Sequence, residues 1–551
     1  MSEERKKVLE MLADGKITVD DAERLLSALG ESDRTSAPQR KNTIDFDGLE
    51  SSIRSGVEGV RRTVRASMPH LRTAIRDASP DVERIVGEAT ASIPGFIEEM
   101  TRTIRDTFGQ SREPDEERFP AKFERDFTED ATIEPGAQLA LHNPRGTIEV
   151  ITSDGNGNGV RAEVHLTVHS LDDDSARAAA ESVQLTQEPG PDRLVLRPVF
   201  PRGREDATYR LDIRLFVAKN LRLDLHTTHG DLLLPEMASD LVLGGDHGQL
   251  RLAGTSGNAS VQHNHGKVEV GRVAGTFSLN AHHSSLELDE AVQETSINSH
   301  HGSVRVRRIG GNLVINSHHG ALDADEIHGN AVANSHHGPL TLQQVAGDLT
   351  VNSHHGPVDV RQVGGSLRLS SEHAPVTVEN ISGELSAQSN HGPLSFGAVG
   401  KSAVIRCTHG AVVIGPVNGE VTVESDRGPV HIRGAGGRAT VRASRGDVRI
   451  ENPAGEVLAE NNRASIEILS SDPVHSAYTL SNNRGNISVA LPEGSNVRVQ
   501  GFVRRGQVET NLPLEVSANG QQGQVVSGEL GAGGASLQAE VESGTLTLRR
   551  A

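Results

Sequence analysis

A histidine returns every 18 residues, usually with a glycine after it. His229, His247, His265, His283, His301, His319, His337, His355, His373, His391 and His409 share one register, and Arg427, Arg445 and Arg463 carry it on. A fixed period held without one insertion is the signature of a solenoid, in which each copy stacks on the next. The apolar columns around the marker decode each coil. Three and five residues after it stand Val304 and Val306, Leu340 and Leu342, Val358 and Val360. A period of two makes a strand with one buried face. Ile309, Ile327, Val345 and Val363 add an inward position, and Gly311, Gly329, Gly347 and Gly365 mark a turn. A second strand then buries Leu313 with Ile315, Leu349 with Val351, and Leu367 with Leu369. The expected fold is mainly β: a parallel β-solenoid (β-helix) of 18-residue coils. Fourteen such coils would extend roughly 65 Å at about 4.8 Å per coil. A right-handed path is favoured, because these coils lack the three equal sides of the left-handed hexapeptide type.

The amino-acid supply agrees with thin stacked strands. Aromatic residues make up 2% of the 551, with no Trp, so the core must come from Val, Leu, Ile and Ala. A formal net charge of −19 argues against nucleic acid as a partner. The single cysteine, Cys407, allows no intramolecular disulfide and fits a reducing compartment. No apolar run has the length of a signal-peptide core or a membrane span. The expected location is cytoplasmic, with a peripheral membrane association; the alternative is the cell surface, reached by nonclassical export.

Ahead of the strands lie two helical regions. Residues 1–30 read as a hairpin of two short helices: Val8, Leu9 and Leu12 share one face, Gly15 closes the first helix, and Thr18 caps a second that buries Ala22, Leu25, Leu26 and Leu29. A polar linker spans 31–46. Residues 47–118 form an amphipathic region, where Ile53, Val57, Val60, Val64, Leu71 and Ile75 make a helical stripe. Arg54, Arg61, Arg62, Arg65, Arg72 and Arg76 crowd beside that stripe. Residues 51–76 could therefore lie on an anionic membrane surface, or pack on each other or in a homo-oligomer. Alternating strands from 119 to 226 read as an N-terminal β cap, 227–480 as the solenoid, and 481–551 as a C-terminal β cap.

The segment KKVLEMLADGKITVDDAERLLSAL resembles the SHOCT-like N-terminal segment of the YvlB/LiaX-like bacterial proteins. Farther on, NPRGTIEV, THGDLLL, NRGNISVALPEG and SGTLTLRR resemble the putative-adhesin family of β-strand repeats, to which those proteins belong. The resemblance implies scaffolding linked to the cell envelope or to stress. The chain departs from that pattern in its His-rich turns, where Asn-Gly or Asp-Gly is more usual, and in its Arg-rich insert.

The histidines are the residues with unusual order. A second column, His282, His300, His318, His336 and His354, runs beside the first, and Asn280, Asn298, Asn316, Asn334 and Asn352 form a third. Imidazole is a common metal ligand, which makes His283, His301, His319, His337 and His355 candidates. Against this, neighbours in an extended strand point to opposite faces, so a doublet such as His318–His319 is not expected to chelate. No acidic or Cys column completes a tetrahedral set. The simpler expectation is that His and Asn stack as ladders along the axis. Cys407 stands in a column otherwise filled mostly by Ser and is expected to be a buried small residue. Constant coil length leaves no loops to build a cleft, and there is no phosphate loop, GxSxG or HExxH. No catalytic residue and no cofactor are therefore expected. The expected function is a non-enzymatic scaffold that binds a protein partner through the solenoid surface or the N-terminal helices. The alternatives are a self-assembling, bactofilin-like structural protein and a His-rich metal-binding module.

Overall fold

The computed structural model describes residues 119–551, except 135, 154–158, 191, 202–206 and 519–522. The expectations for the helical hairpin with Leu25, Leu26 and Leu29, and for Arg61, Arg62, Arg65 and Arg72, lie outside the described residues. The rest is mainly β, a parallel β-solenoid of about 15 turns.

Each internal coil has two strands in perfect 18-residue register with the coils before and after. Leu349–Ser353, for example, pairs in parallel with Ala331–Ser335 on one side and Leu367–Ser371 on the other. Val358–Val363 does the same between Leu340–Val345 and Val376–Ile381. Leu349, Val351, Val358, Val360 and Val363 point inward and are at most 2% exposed. Fully burying each Val or Leu stabilises by roughly 1.5–3 kcal/mol. No coil can hold its row alone, because the backbone partners of every strand belong to its neighbours.

Two polar devices close the turns, and a third links neighbouring strands. Inside the first turn runs a buried hydroxyl column. Ser335 Oγ donates to the Gly338 carbonyl at 2.8 Å and Ser353 Oγ to that of Gly356 at 2.8 Å. At the second turn an Asx ladder recurs: the backbone N–H of Asp348 donates to Asn330 Oδ1 at 2.8 Å, and that of Ser366 to Asp348 Oδ1 at 2.7 Å. Outward residues pair between coils, as in Arg406–Glu424 at 2.9 Å and Arg442–Glu460 at 3.3 Å. Such exposed pairs contribute about 0.2–1 kcal/mol each.

Glycine after the marker is a packing requirement. A Cβ on Gly338 would stand 1.8 Å from the carbonyl oxygen of Gly320 in the coil before. Gly338→Ala is therefore expected to force neighbouring coils apart and cost about 1–3 kcal/mol, read as a lowered urea midpoint with an unchanged slope.

Residues 119–226 contain the first coil as well as a cap. Gln138–Arg145 pairs in parallel with Arg222–His229, placing Arg145 opposite His229. Between these two coils the chain makes an excursion. In it Gly159–Ser170 and Ala207–Ala218 pair antiparallel, and Ala121–Thr132, which precedes the first coil in the chain, pairs antiparallel with Gly159–Ser170. Ala207–Ala218 then covers the free side of Ile148–Ser153 in parallel. The excursion also holds a helix, Asp173–Ser182, where the sequence reading expects strands. Asp172 caps it, accepting from the Ser175 N–H at 2.8 Å, and Ala176, Ala179 and Ala180 pack inward. The outermost strand carries Lys122, Glu124, Arg125, Asp126, Glu129 and Asp130, and charges of this kind discourage edge-to-edge pairing.

At the other end, chain order and spatial order part. Tyr478–Arg484 and Ile487–Leu491 continue the stack after a longer turn. The next layer is not Val497–Thr510 but the C-terminal strand Ala535–Arg550, which pairs in parallel with both. Gln524–Leu530 then covers part of the outer edge of Val497–Thr510 in antiparallel fashion. The tail read as a cap thus supplies two more layers before the covering strand.

Candidate functional site

The asparagine column forms a hydrogen-bonded ladder. Asn298 Nδ2 donates to Asn280 Oδ1 at 2.9 Å, and Asn316, Asn334 and Asn352 repeat the bond at 2.7 Å each. Each amide spends one N–H on the ladder and keeps a second for solvent or a ligand. Beside it, the inner imidazoles stack nearly parallel, from His282–His300 at 4.8 Å to His336–His354 at 4.7 Å. The outer column stacks from His229–His247 at 4.7 Å to His391–His409 at 4.6 Å. Between asparagines and inner histidines runs an open groove of about 710 Å³, from Gln262 and Asn264 to Ser370 and Glu372.

The doublets contradict the expectation of opposite faces. His300 Nδ1 lies 2.7 Å from His301 Nδ1, and the same contact is 2.6 Å at His318–His319 and 2.5 Å at His354–His355. The alternation rule fails because these residues sit in a turn between strands, where successive side chains need not diverge. One ring must carry its proton on Nδ1 and donate to the other. Of the metal candidates, His283, His301, His319, His337 and His355 all stand in the outer column, each against an inner partner. One acid does stand in the ring columns. Glu372 occupies the inner column one coil after His354, and its Oε2 is 2.6 Å from His354 Nε2.

Burial and like neighbours disfavour protonation of three inner rings. Desolvation first, then His319 and His336, push His318 down to about 4. The same causes in the same order lower His300 and His336. At the groove's beginning a buried histidine replaces the hydroxyl column. His263 is 2% exposed, its Nδ1 lies 2.7 Å from Ser284 Oγ, and burial holds it at about 4. Two departures from the repeat make this possible: Gly245 beneath leaves room for the ring, since a Cβ there would come 2.8 Å from it, and Ser284 stands at the glycine position.

Residues 3–34 match a SHOCT-like domain. That match covers the segment whose likeness is noted above and leaves the solenoid unassigned. A crystal structure of a putative cell adhesion protein from Clostridium sporogenes ATCC 15579 aligns over 78% of this chain and 100% of its own length, at 8% identity and a TM-score of 0.13. At that score the likeness carries no argument. Among curated proteins, none matches the sequence.

Cys407 lies in the hydroxyl column, 4% exposed, with Sγ 3.2 Å from the Gly410 carbonyl oxygen, and burial raises its thiol pKa. A protonated, enclosed thiol is unreactive. Native protein should therefore resist a thiol reagent that labels it at once in urea. Cys407→Ser should change stability by less than about 1 kcal/mol, since Ser389 and Ser425 make the same bond one coil away.

Proposed function

We propose that this chain is a non-enzymatic interaction scaffold of the YvlB/LiaX-like kind, acting in bacterial cell-envelope stress, and that its docking face for a protein partner is the histidine–asparagine groove. The observation that carries the reading is the contrast between faces. On the strand that directly follows the marker, outward side chains form ion pairs with one another, as in Lys267 with Glu269 and Glu287, and Arg449 with Glu451 and Glu467. Along the groove each step of about 4.8 Å presents a spare amide N–H and an imidazole edge. Regularly spaced donors and acceptors on a rigid rod suit recognition, whereas catalysis needs acids or bases in a cleft that breaks the repeat. In this reading the SHOCT-like segment is a second attachment point. Residues 51–76 hold the protein at an anionic membrane surface on the cytoplasmic side.

A photo-crosslinking residue placed at Ser370, in the groove, or at Gln362, on the strand that directly follows the marker, tests the docking face in the producing cell. Partner adducts from position 370 alone are expected. Equal capture at both positions, or none at 370, would remove the groove from the reading.

A further inference from the structure

The groove changes character at one level. Through five coils the inner column holds His282, His300, His318, His336 and His354; the sixth brings Glu372. The change matters because of how stacked rings aim their nitrogens. His282, His300, His318 and His336 are tilted by only 3–5° from ring to ring. Parallel rings send their lone pairs along parallel lines, so successive members of a column cannot converge on one ion. Outer rings are less regular, inclined by 37° at His319–His337 and 43° at His337–His355, and rings of different columns can face a common point. His354 and His373 are inclined by 43°, and His355 and His373 by 21°. Ring nitrogens of His354, His355 and His373 come within 4.8 Å of one another. Glu372 Oε2 lies 2.6 Å from His354 Nε2 and 4.0 Å from His373 Nδ1.

We propose that His354, His355 and His373 form a binding site for one divalent transition-metal ion, with Glu372 holding His354 through its other ring nitrogen, Nε2. Three imidazoles with a fourth position open to solvent are a donor set suited to Zn²⁺, Co²⁺ or Ni²⁺. Ca²⁺ and Mg²⁺ require mostly oxygen ligands and are poorly served. Tetrahedral bonds of about 2.0–2.1 Å set neighbouring donors roughly 3.3 Å apart. The His354–His355 contact of 2.5 Å then opens by under about 1 Å, and nitrogens up to 4.8 Å apart close by at most about 1.5 Å. The side chains of His354, Glu372 and His373 are 36%, 44% and 47% exposed, which leaves them free to adjust and gives the ion a path from solvent. In the coils before it the inner column holds His282, His300, His318 and His336 where Glu372 stands, and the site is accordingly local. The inference stands independently of the docking role, because a partner could use the groove with or without an ion at its end.

The test is a Co²⁺ titration of metal-free, full-length protein, followed by visible absorption. The wild-type chain is expected to take up one tight equivalent with the intense bands of a tetrahedral site. The double variant Glu372→Gln/His373→Asn should lose those bands and bind at least roughly 100-fold more weakly, since even outer-sphere partners are worth 10–100-fold. A second double variant, His300→Asn/His301→Asn, removes a doublet with no acid and should keep both bands and affinity. Circular dichroism of all three without metal controls for folding; these residues are on the surface. Retained bands in the first variant, equal loss in the second, or uptake by the wild type of several weak equivalents with no tight first one would each overturn the site.

Discussion

Deleting residues 535–551 is expected to unfold the C-terminal layers rather than trim the rod. Ala535–Arg550 lies between the coil built from Tyr478–Arg484 and Ile487–Leu491 and the strand Val497–Thr510. Its loss removes a backbone partner from both sides at once. Leu537, Val541, Leu546 and Leu548 are each at most 1% exposed. Their burial is worth about 6–12 kcal/mol at roughly 1.5–3 kcal/mol per side chain. That gross figure is comparable to the entire net stability of a typical domain, about 5–15 kcal/mol. Urea unfolding of the truncated protein should show a new low-denaturant transition, and protease cleavage should begin in residues 478–530. A single transition near the wild-type midpoint would mean that Val497–Thr510 can close directly on the preceding coil. Within the intact chain, Leu548→Ala should cost about 2–5 kcal/mol.

The second large effect is on acid stability. Burial first, then the charge of His226, pushes His142 down to about 4, and burial pushes His263 to about 4. The unfolded reference is about 6.5. Each group is therefore lowered on folding, and the unfolded chain binds more protons between those values. Stability is full above pH ~6.5, falls as pH drops toward about 4, and levels off below it. For the two buried rings the loss is about 3 kcal/mol each. The more exposed rings His229, His283, His300, His336 and His355 are lowered as well and add to the slope in the same direction. Urea midpoints at pH 7 and pH 4.5 measure the sum. The double variant Gly245→Ser/His263→Ser restores the small-residue column found in later coils and should flatten the dependence. An unchanged pH slope in that variant would show that His263 does not supply its share.

The parts of the structure legible in the sequence are those the period repeats. Val358, Val360 and Val363 could be assigned inward, and the asparagine ladder anticipated, because every coil restates them. What was not legible lies where one residue departs from its column or where chain order stops following space. Glu372 is a single exception among inner histidines, and a reading by columns passes over it. Gly245, His263 and Ser284 look like three unrelated slips until stacking brings them together. The doublet geometry was missed because a strand rule was applied to a turn. The helix at Asp173–Ser182 did leave a signal: a capping Asp172 and the stripe Ala176, Ala179 and Ala180. The place of Ala535–Arg550 left none, since an alternating strand carries no mark of which neighbours it will join.

The register between coils also bears on how such a gene can change. Internal strands pair only with their equivalents 18 residues away, and the pairing is the same at each step. Unequal recombination within the repeats that adds or removes 18 codons leaves every surviving interface of the same type, so the product can fold at once. A slip of another size breaks the register unless a turn takes up the difference, as in the 21-residue step from Val457 to Tyr478. Evolution is thus offered a rod whose length is quantised, with increments of about 4.8 Å, while its two ends and its acidic punctuation at Glu372 are inherited intact.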